Sequence, residues 1–196
     1  MAPVRRMSKA TLADLERLPD HVVGELIAGE LFVSPRPSPQ HARATSSLTA
    51  ELGPFARRPG DRGPGGWIIL FEPELHLDGS VLVPDLAGWH LDRMPPSGPG
   101  VGVKVTPDWL CEVLSPSTAS LDRTRKMPLY ASLGISHLWL IDPLARSLEV
   151  FRLEGGRWSM VAAFGEDAPA MIRAEPFDAI EIELARFWWP EPPASP

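Results

Sequence analysis

Apolar positions near the start of the chain follow first a helical period and then a strand-like pattern. Leu12, Leu15 and Leu18 recur at helical spacing within Thr11–Leu18 and predict a short amphipathic helix. Apolar residues on both sides of Ala28-Gly29 predict two strands that form a tight hairpin. The folded part of the chain is therefore expected to begin with a helix followed by a hairpin.

Two longer helices are predicted, one early and one in the middle of the chain. Ser38 followed by Pro39 is typical of an N-cap and a first helical position, and this helix is expected to extend to about Ala56. The middle helix is expected over Thr124–Leu133, where a glycine follows its last residue as a natural cap. Each helix is bounded by segments rich in glycine or proline, as isolated elements in a compact domain usually are.

Pro128 leaves the start of the middle helix open. If Asp122 is the N-cap, Pro128 lies inside the helix and should kink it or remove a hydrogen bond. If Thr124 is the N-cap, Pro128 falls in the first turn and is tolerated. Both alternatives place the basic residues that precede Pro128 near the start of the helix.

Short apolar runs bounded by turn residues predict strands through the rest of the chain. Because these strands alternate with the two helices, we expect one α/β domain with a mixed central β-sheet flanked by helices. The domain is expected to span residues 11–187, after a flexible N-terminus at 1–10 and before a disordered, Pro-rich tail at 188–196. The predicted strands are Trp67–Phe71, Glu74–Leu77, Val81–Trp89 and residues 109–114, 136–142, 147–153, 157–164 and 178–184.

One predicted strand contains a charge that a buried strand should not carry. The stretch "PDWLCEVLSPS" is a nearly continuous apolar run, which is typical of a strand covered on both faces. Glu112 lies in its centre and shares a face with Leu110 and Leu114, because side chains alternate along a strand. A buried carboxylate is costly unless it is paired or bound to a metal, so Glu112 must hold a cation. That cation is either a metal ion or a lysine such as Lys126.

A second carboxylate interrupts another apolar strand. Asp85 follows Pro84 in "VLVPDLAGW", and proline within a strand favours an edge or a bulge. Asp85 either caps a turn or joins Glu112 around a divalent ion, for which Mg²⁺ or Mn²⁺ suits the oxygen ligands. Lys126, near the start of the next helix, is placed to orient a metal-bound water or stabilise a phosphate. The three side chains together predict phosphodiester hydrolysis.

Composition limits the classes of protein that remain. The chain has 196 residues, 44% of them hydrophobic, and a formal net charge of −6, so no general basic field predicts bulk coating of nucleic acid. The single cysteine, Cys111, excludes an intramolecular disulfide and fits a reducing compartment. The chain starts without an apolar signal region, and its strongest apolar runs are too short to cross a membrane. We expect a cytoplasmic protein with no membrane contact.

The two acidic strands and the segment after them resemble a known family. "VPDLAGW" and "PDWLCEVLSPSTASLDRTRKMPLYASLGISHLWLIDP" are similar to the Uma-type endonucleases of bacteria, which belong to the PD-(D/E)XK superfamily. The resemblance covers about residues 10–185 and implies a restriction-endonuclease-like fold and a Mg²⁺-dependent endonuclease acting on nucleic acid, with DNA as the expected substrate. It implies that Asp85 and Glu112 bind the metal and that Lys126 is catalytic. The lysine usual for the superfamily is absent, because Leu114 occupies its position.

The resemblance leaves other site members open. Glu25, Glu30 and His41 lie in the matching upstream region and are candidates for a further site residue. Arg123 and Arg125 are candidates for binding nucleic acid or simply form a solvated helix start.

Two further expectations concern activity and assembly. The acidic net charge favours an alternative function, a catalytically silent nuclease-like module that binds a partner protein. Because one protomer has few basic residues and so offers little surface for a duplex, we also predict a homodimer that pairs two sites.

Overall fold

The computed structural model describes residues 4–56, 63–94 and 102–190. The segment "RRPGDRGPGG" has the glycines and prolines of a loop, and its arginines, Arg57, Arg58 and Arg62, lie outside this range. The strands are β1 (Arg5–Ser8), β2 (Val22–Ile27), β3 (Glu30–Pro35), β4 (Trp67–Phe71), β5 (Leu75–Leu77), β6 (Ser80–Leu82), β7 (Leu86–His90), β8 (Trp109–Val113), β9 (His137–Asp142), β10 (Ser147–Glu154), β11 (Arg157–Phe164), β12 (Met171–Ile172) and β13 (Ile182–Glu183). The helices are α1 (Leu12–Leu15), α2 (Pro39–Glu51), α3 (Ala119–Leu121), a π-helix (Asp122–Lys126), α4 (Met127–Ser132) and a 3₁₀-helix (Leu184–Phe187).

The larger of the two main sheets is mixed and carries the centre of the fold. Its strand order is β11-β10-β9-β8-β7-β4, in which β8 and β9 are parallel and the other neighbours are antiparallel. A parallel pair needs a crossover connection, and the segment from α3 to α4 supplies it. The crossover therefore brings the middle helix back over the sheet beside β8. The predicted mixed α/β architecture is confirmed.

A second sheet has the order β1-β3-β2-β6-β5 and packs on the same face of the large sheet as the middle helix. Leu110 and Leu114 belong to the apolar cluster on that face, together with Tyr130 of α4. Cys111 and Val113 point to the opposite face and pack against α2 and the C-terminal segments. All five residues of β8 are buried, as its apolar run predicts. Glu112 consequently faces the space between the small sheet and the middle helix.

The segment predicted as one strand over Val81–Trp89 is two strands in different sheets. β6 ends at Leu82 in the small sheet, and β7 begins at Leu86 in the large sheet. Pro84 lies in the gap, where a residue that cannot donate a ladder hydrogen bond breaks the pairing. Asp85 therefore lies at the point where the chain passes from one sheet to the other.

The middle helix begins earlier than either alternative for Pro128 allowed. Thr118 is its N-cap, and the helical segment then runs through α3, the π-helix and α4 to Ser132. The Met127 amide donates to the carbonyl oxygen of Asp122, five residues back, so the π-turn rearranges the hydrogen bonds directly before Pro128. The proline is accommodated inside the helix by this local widening.

Other boundaries differ from expectation at the ends of elements. Ser38 caps α2 by accepting from the His41 amide, as predicted, but the helix ends at Glu51 rather than near Ala56. Arg5–Ser8, in the segment expected to be flexible, form a strand along the edge of β3. Within the described residues, no helix is long and apolar enough to cross a membrane. Of the tail predicted to be disordered, residues 191–196 lie outside the described range.

Candidate active site

A cavity of about 70 Å³ lies where the small sheet, the large sheet and the middle helix meet. β2 contributes Glu25, the β6–β7 connection contributes Asp85, and β8 contributes Glu112. The structure thus brings the predicted residues Asp85, Glu112 and Lys126 to one cavity, together with other charged and polar side chains. The charged or titratable residues of its lining are Glu25, Arg36, His41, Glu72, Asp85, Glu112, Asp122 and Lys126.

Lys126 is the central cation of this cavity. Its Nζ atom lies 2.8 Å from Glu112 Oε1, 3.0 Å from Glu25 Oε1 and 3.5 Å from Asp122 Oδ1. The side chain is only 3% exposed. Burial opposes the charged amine, but the surrounding carboxylates outweigh it and hold the pKa of Lys126 well above its usual range. Lys126 is therefore positively charged at physiological pH and neutralises part of the acidic cluster.

Glu112 shares Lys126 with the other carboxylates and has a partner of its own. The Tyr130 hydroxyl donates to Glu112 Oε1, the same oxygen that Lys126 contacts. Burial raises the pKa of Glu112 well above its usual range; Lys126 counteracts this, while Asp122, Asp85 and Glu25 add to it. The other oxygen, Oε2, takes part in neither contact, so Glu112 retains an oxygen for a second ligand.

Asp85 is oriented by one backbone and one side-chain contact. Its Oδ2 atom accepts from the Val113 amide at 2.6 Å, and its Oδ1 atom lies 3.1 Å from His41 Nε2. Burial lowers the pKa of His41, but the hydrogen bond to Asp85 and its charge outweigh it, so the pKa is raised overall. The second ring nitrogen of His41, Nδ1, is buried without a hydrogen-bond partner among the described residues. His41 thus helps to fix Asp85 against the end of β8.

Of the three upstream candidates, two join the cavity and one does not. Glu25 contacts Lys126 and also accepts from the Val83 amide at 2.9 Å, so it ties β2 to the β6–β7 connection. His41 contacts Asp85. Glu30 does not line the cavity; it lies in β3 and pairs with Arg6 of the N-terminal strand. Glu25 lines the cavity and Glu30 does not, because side chains alternate along the strands and because β1, which pairs with β3, supplies Arg6 to Glu30.

Asp122 and Tyr130 are cluster members that the sequence did not single out as site residues. They lie four residues before and four residues after Lys126, and helical spacing places such positions on one face. All three side chains are buried. The spacing D-x-x-x-K-x-x-x-Y was therefore the available signal, because it predicts a polar stripe on a helix that packs against the Glu112 strand.

The cluster contains more carboxylates than cations. Five carboxylates, those of Glu25, Glu72, Asp85, Glu112 and Asp122, line a cavity whose cations are Lys126 and Arg36, and Arg36 lies 3.9 Å from Glu72. Burial raises the pKa of Asp122 to about 6, with Lys126 lowering it and Glu25 raising it. The pKa of Glu112 is raised as well, and Lys126 acts on both carboxyl groups, so a proton on one affects the protonation of the other. The excess negative charge favours either bound protons or a further cation in the cavity.

Replacing Asp122 with asparagine is expected to change the pH dependence of stability. The pKa of Asp122 is raised from 3.8 to about 6 on folding. Protonation of Asp122 therefore stabilises the folded state fully below about pH 4, and this stabilisation is lost as the pH rises through about 6. Wild type should therefore lose up to about 3 kcal/mol relative to Asp122→Asn across this interval, at about 1.4 kcal/mol per pKa unit. Urea unfolding at pH 4 to 7.5 measures the difference. Asp178→Asn, an exposed site, is the matched control, and parallel profiles for wild type and Asp122→Asn would contradict the assignment.

The donor chemistry of the cavity fits a hard divalent cation. Mg²⁺ and Mn²⁺ bind oxygen ligands and often take only one or two carboxylates, keeping several waters. Asp85 and Glu112 supply such oxygens from separate elements, and the surplus of negative charge favours a cation there. Among the described residues, no three histidine, cysteine, aspartate or glutamate side chains converge closely enough to enclose a metal. The fit is therefore to an ion that keeps waters, not to an all-protein cage.

The comparisons with known proteins agree with this fold. The chain matches the family "Uma2: Putative restriction endonuclease" over residues 12–185. The chain belongs to the Uma2 family. The resemblance seen in the sequence is confirmed, and membership of the Uma2 family supports nuclease function.

A solved structure shows the same fold. It is described as a "putative nuclease belonging to DUF820" from Anabaena variabilis, with a TM-score of 0.70 and 21% sequence identity. The match covers 90% of this chain and 96% of that one. A comparison with curated proteins gives no match. The restriction-endonuclease-like architecture expected for a Uma2 protein is confirmed.

Proposed function

We propose that this protein is a metal-dependent endonuclease that hydrolyses phosphodiester bonds in nucleic acid, with DNA as the expected substrate. The observation that carries the proposal is the cavity in which Asp85, Glu112 and Lys126 meet. These side chains come from a sheet-to-sheet connection, a buried strand and a helix, and family membership supports a nuclease. A purely structural ion pair does not require the second carboxylate, Asp85, at the same cavity.

Asp85 and Glu112 would hold Mg²⁺ or Mn²⁺, which would stabilise developing negative charge and make a bound water more acidic. The other contributions to catalysis come from the side chains of the protein. Lys126 presents a positive charge to the same cavity and stabilises negative charge on the scissile phosphate. His41 and the Val113 amide hold the Asp85 carboxylate in place, and Tyr130 restrains Glu112. Glu25 and Asp122 position Lys126 from two sides.

One observation favours a second candidate function, a catalytically silent module that binds a partner protein. Lys126 already pairs with Glu112 at 2.8 Å, and a buried ion pair of this kind is stable without any metal. The net charge of −6 also disfavours general affinity for nucleic acid. The two functions share the same side chains, so activity and metal binding have to distinguish them.

The test is cleavage of labelled single-stranded and duplex DNA and RNA with Mg²⁺, with Mn²⁺ or with chelator. Wild type should cleave only with metal, and Asp85→Asn should cleave at least about 100-fold more slowly, because the amide cannot replace the charged ligand. Asparagine retains an oxygen for the Val113 amide, which limits the effect on folding. Asp178→Asn is the surface control. Absence of both cleavage and a metal-dependent thermal shift in wild type would favour the silent module.

Homodimer formation and a cytoplasmic location remain predictions from the sequence. Among the described residues, β4 is an edge strand of the large sheet and exposes 57% of Phe71, so this edge is where a second copy would pair. Sedimentation at micromolar concentration measures the assembly state, and a monomer throughout would exclude the dimer.

A further inference from the structure

A second pocket, of about 320 Å³, adjoins the candidate active site. It lies between the N-terminal strand, β3 and the start of the middle helix. Ser117 lines both this pocket and the active-site cavity, so the two are neighbours across one residue. Arg6 and Arg125 contribute the charged side chains of its lining. A basic pocket beside an acidic cavity is suited to a part of the substrate that does not react.

The structure separates the two arginines that the sequence left equivalent. Arg123 donates two hydrogen bonds of 2.9 Å to the carboxylate of Glu149, so its guanidinium is already bound. Arg125 is exposed, lines the second pocket and forms no ion pair with any described residue. Its charge helps to lower the pKa of Glu30, but no carboxylate of the described residues pairs with its guanidinium, which leaves the hydrogen-bond donors of Arg125 for a ligand.

The rest of the pocket offers one further charge and several small polar groups. Arg6 is held by Glu30 and lies 6.0 Å above the ring of Phe32, which fixes its position at the rim. Ser120 adds a hydroxyl group beside Arg125, whereas the Thr124 hydroxyl already donates to the Ser120 carbonyl oxygen at 2.6 Å. Arginine and hydroxyl side chains on a shallow pocket are the groups that contact phosphate oxygens and sugars in nucleic-acid complexes.

We propose that this pocket binds a backbone phosphate of the nucleic-acid strand next to the scissile phosphate, with Arg125 as its main ligand. The inference rests on the proposed nuclease function and adds the residues that hold the substrate. It also explains how a chain with a net charge of −6 approaches a polyanion, because the contact is local rather than spread over the surface. Since a phosphate contact carries no sequence information, Arg125 contributes affinity and register but no base preference.

The experiment measures binding rather than cleavage. Asp85→Asn serves as the inactive parent, and fluorescence anisotropy follows its binding to labelled duplex and single-stranded DNA of two unrelated sequences with Mg²⁺ present. Adding Arg125→Ala should weaken binding about tenfold at low salt, by the same factor for both sequences. The slope of log affinity against log salt should become less negative by about 0.9 for duplex or 0.7 for single strands.

Two matched variants separate a phosphate contact from a change in folding. Arg125→Lys keeps the charge and should keep the salt slope. Arg173→Ala removes an exposed arginine that lies beside residues of the opposite apolar cluster, and should leave both affinity and slope unchanged.

The outcomes for the inference and for the proposed function are distinct. If the parent binds DNA and Arg125→Ala binds with the same affinity and slope, the phosphate subsite is wrong and the nuclease proposal stands. If the parent binds neither form of DNA at low salt, the phosphate subsite for DNA and the assignment of DNA as the substrate are both wrong, and the cleavage assay on RNA decides whether the nuclease proposal stands.

Discussion

Lys126→Met is expected to lower the free energy of unfolding by about 3–5 kcal/mol, because it leaves buried carboxylates without their cation. The amine contacts Glu25, Glu112 and Asp122, and the structure shows no other lysine or arginine paired with these three among the described residues. The carboxylates can respond only by binding protons, which costs more as the pH rises. The loss should therefore be larger at pH 8 than at pH 5, as measured by urea unfolding at both values.

Two variants test whether the cost of Lys126→Met comes from stranded charge. Lys126→Met/Glu112→Gln removes one stranded carboxylate and should regain part of the lost stability, because the two side chains are coupled. Lys104→Met removes an exposed lysine and is the surface control. A loss below about 1 kcal/mol for Lys126→Met, or no recovery in the double variant, would contradict the central role of the lysine.

The sequence predicts the parts of the site that lie on strands. Alternation along β8 placed Glu112 on one face with Leu110 and Leu114 and placed Cys111 on the other, and the structure has both. This succeeded because a strand buried on both faces has no freedom to rotate a side chain into water. Pro84 also marked an interruption next to Asp85. The pattern did not show that this interruption separates two sheets, since strand pairing depends on contacts distant in sequence.

The parts of the site on the middle helix were less predictable. By sequence alone Pro128 limits where the helix can start, whereas in the structure a π-turn accommodates the proline and the helix begins at Ala119. The earlier start is what puts Asp122 inside the helix and buries it beside Lys126. Local propensity carries no signal for such a rearrangement, because tertiary packing decides it. Asp122 and Tyr130 were therefore missed as site residues although their spacing from Lys126 was visible.

The choice between Glu25 and Glu30 shows a different limit. Both glutamates flank the same hairpin, and the sequence gives them equal standing as candidates. The structure separates them through residues 5–8, which were expected to be flexible but pair with β3 and supply Arg6 to Glu30. Glu25 is not engaged by Arg6 and forms an ion pair with Lys126. A four-residue strand at an edge has too weak a pattern to be recognised before its partner is known.

The lysine and the carboxylates of the cluster are not equally replaceable, and this difference allows its structural role to be tested separately from metal binding. One lysine serves three carboxylates, so the cation is indispensable while each carboxylate has substitutes. If Glu112 becomes neutral, Lys126 keeps Glu25 and Asp122 as partners. Replacing Glu112 can therefore abolish metal binding while Lys126 keeps two carboxylate partners. Replacing Lys126 instead leaves the carboxylates without their cation.

Glu112→Gln is accordingly expected to abolish metal-dependent stabilisation while leaving the fold intact. At a free Mg²⁺ or Mn²⁺ concentration 100 times the dissociation constant, wild type should gain about 2.7 kcal/mol, because the ion binds only the native state. For a chain of this size, that gain corresponds to a rise of about 5–10 °C in Tm. The variant should show no such rise and no cleavage. Without metal it should be at least as stable as wild type, since burial penalises the charge that it removes.

Thermal melts with metal and with chelator, run beside the cleavage assay, decide what Glu112 holds. Glu166→Gln makes the same substitution at an exposed position and should keep the full metal response. A metal response that survives in Glu112→Gln would remove this residue from the metal site. If wild type shows no response and Glu112→Gln instead loses several kcal/mol, the cation held by Glu112 is Lys126 alone. The cluster would then be a structural ion network in a nuclease fold, and the silent module would be the better account of the protein.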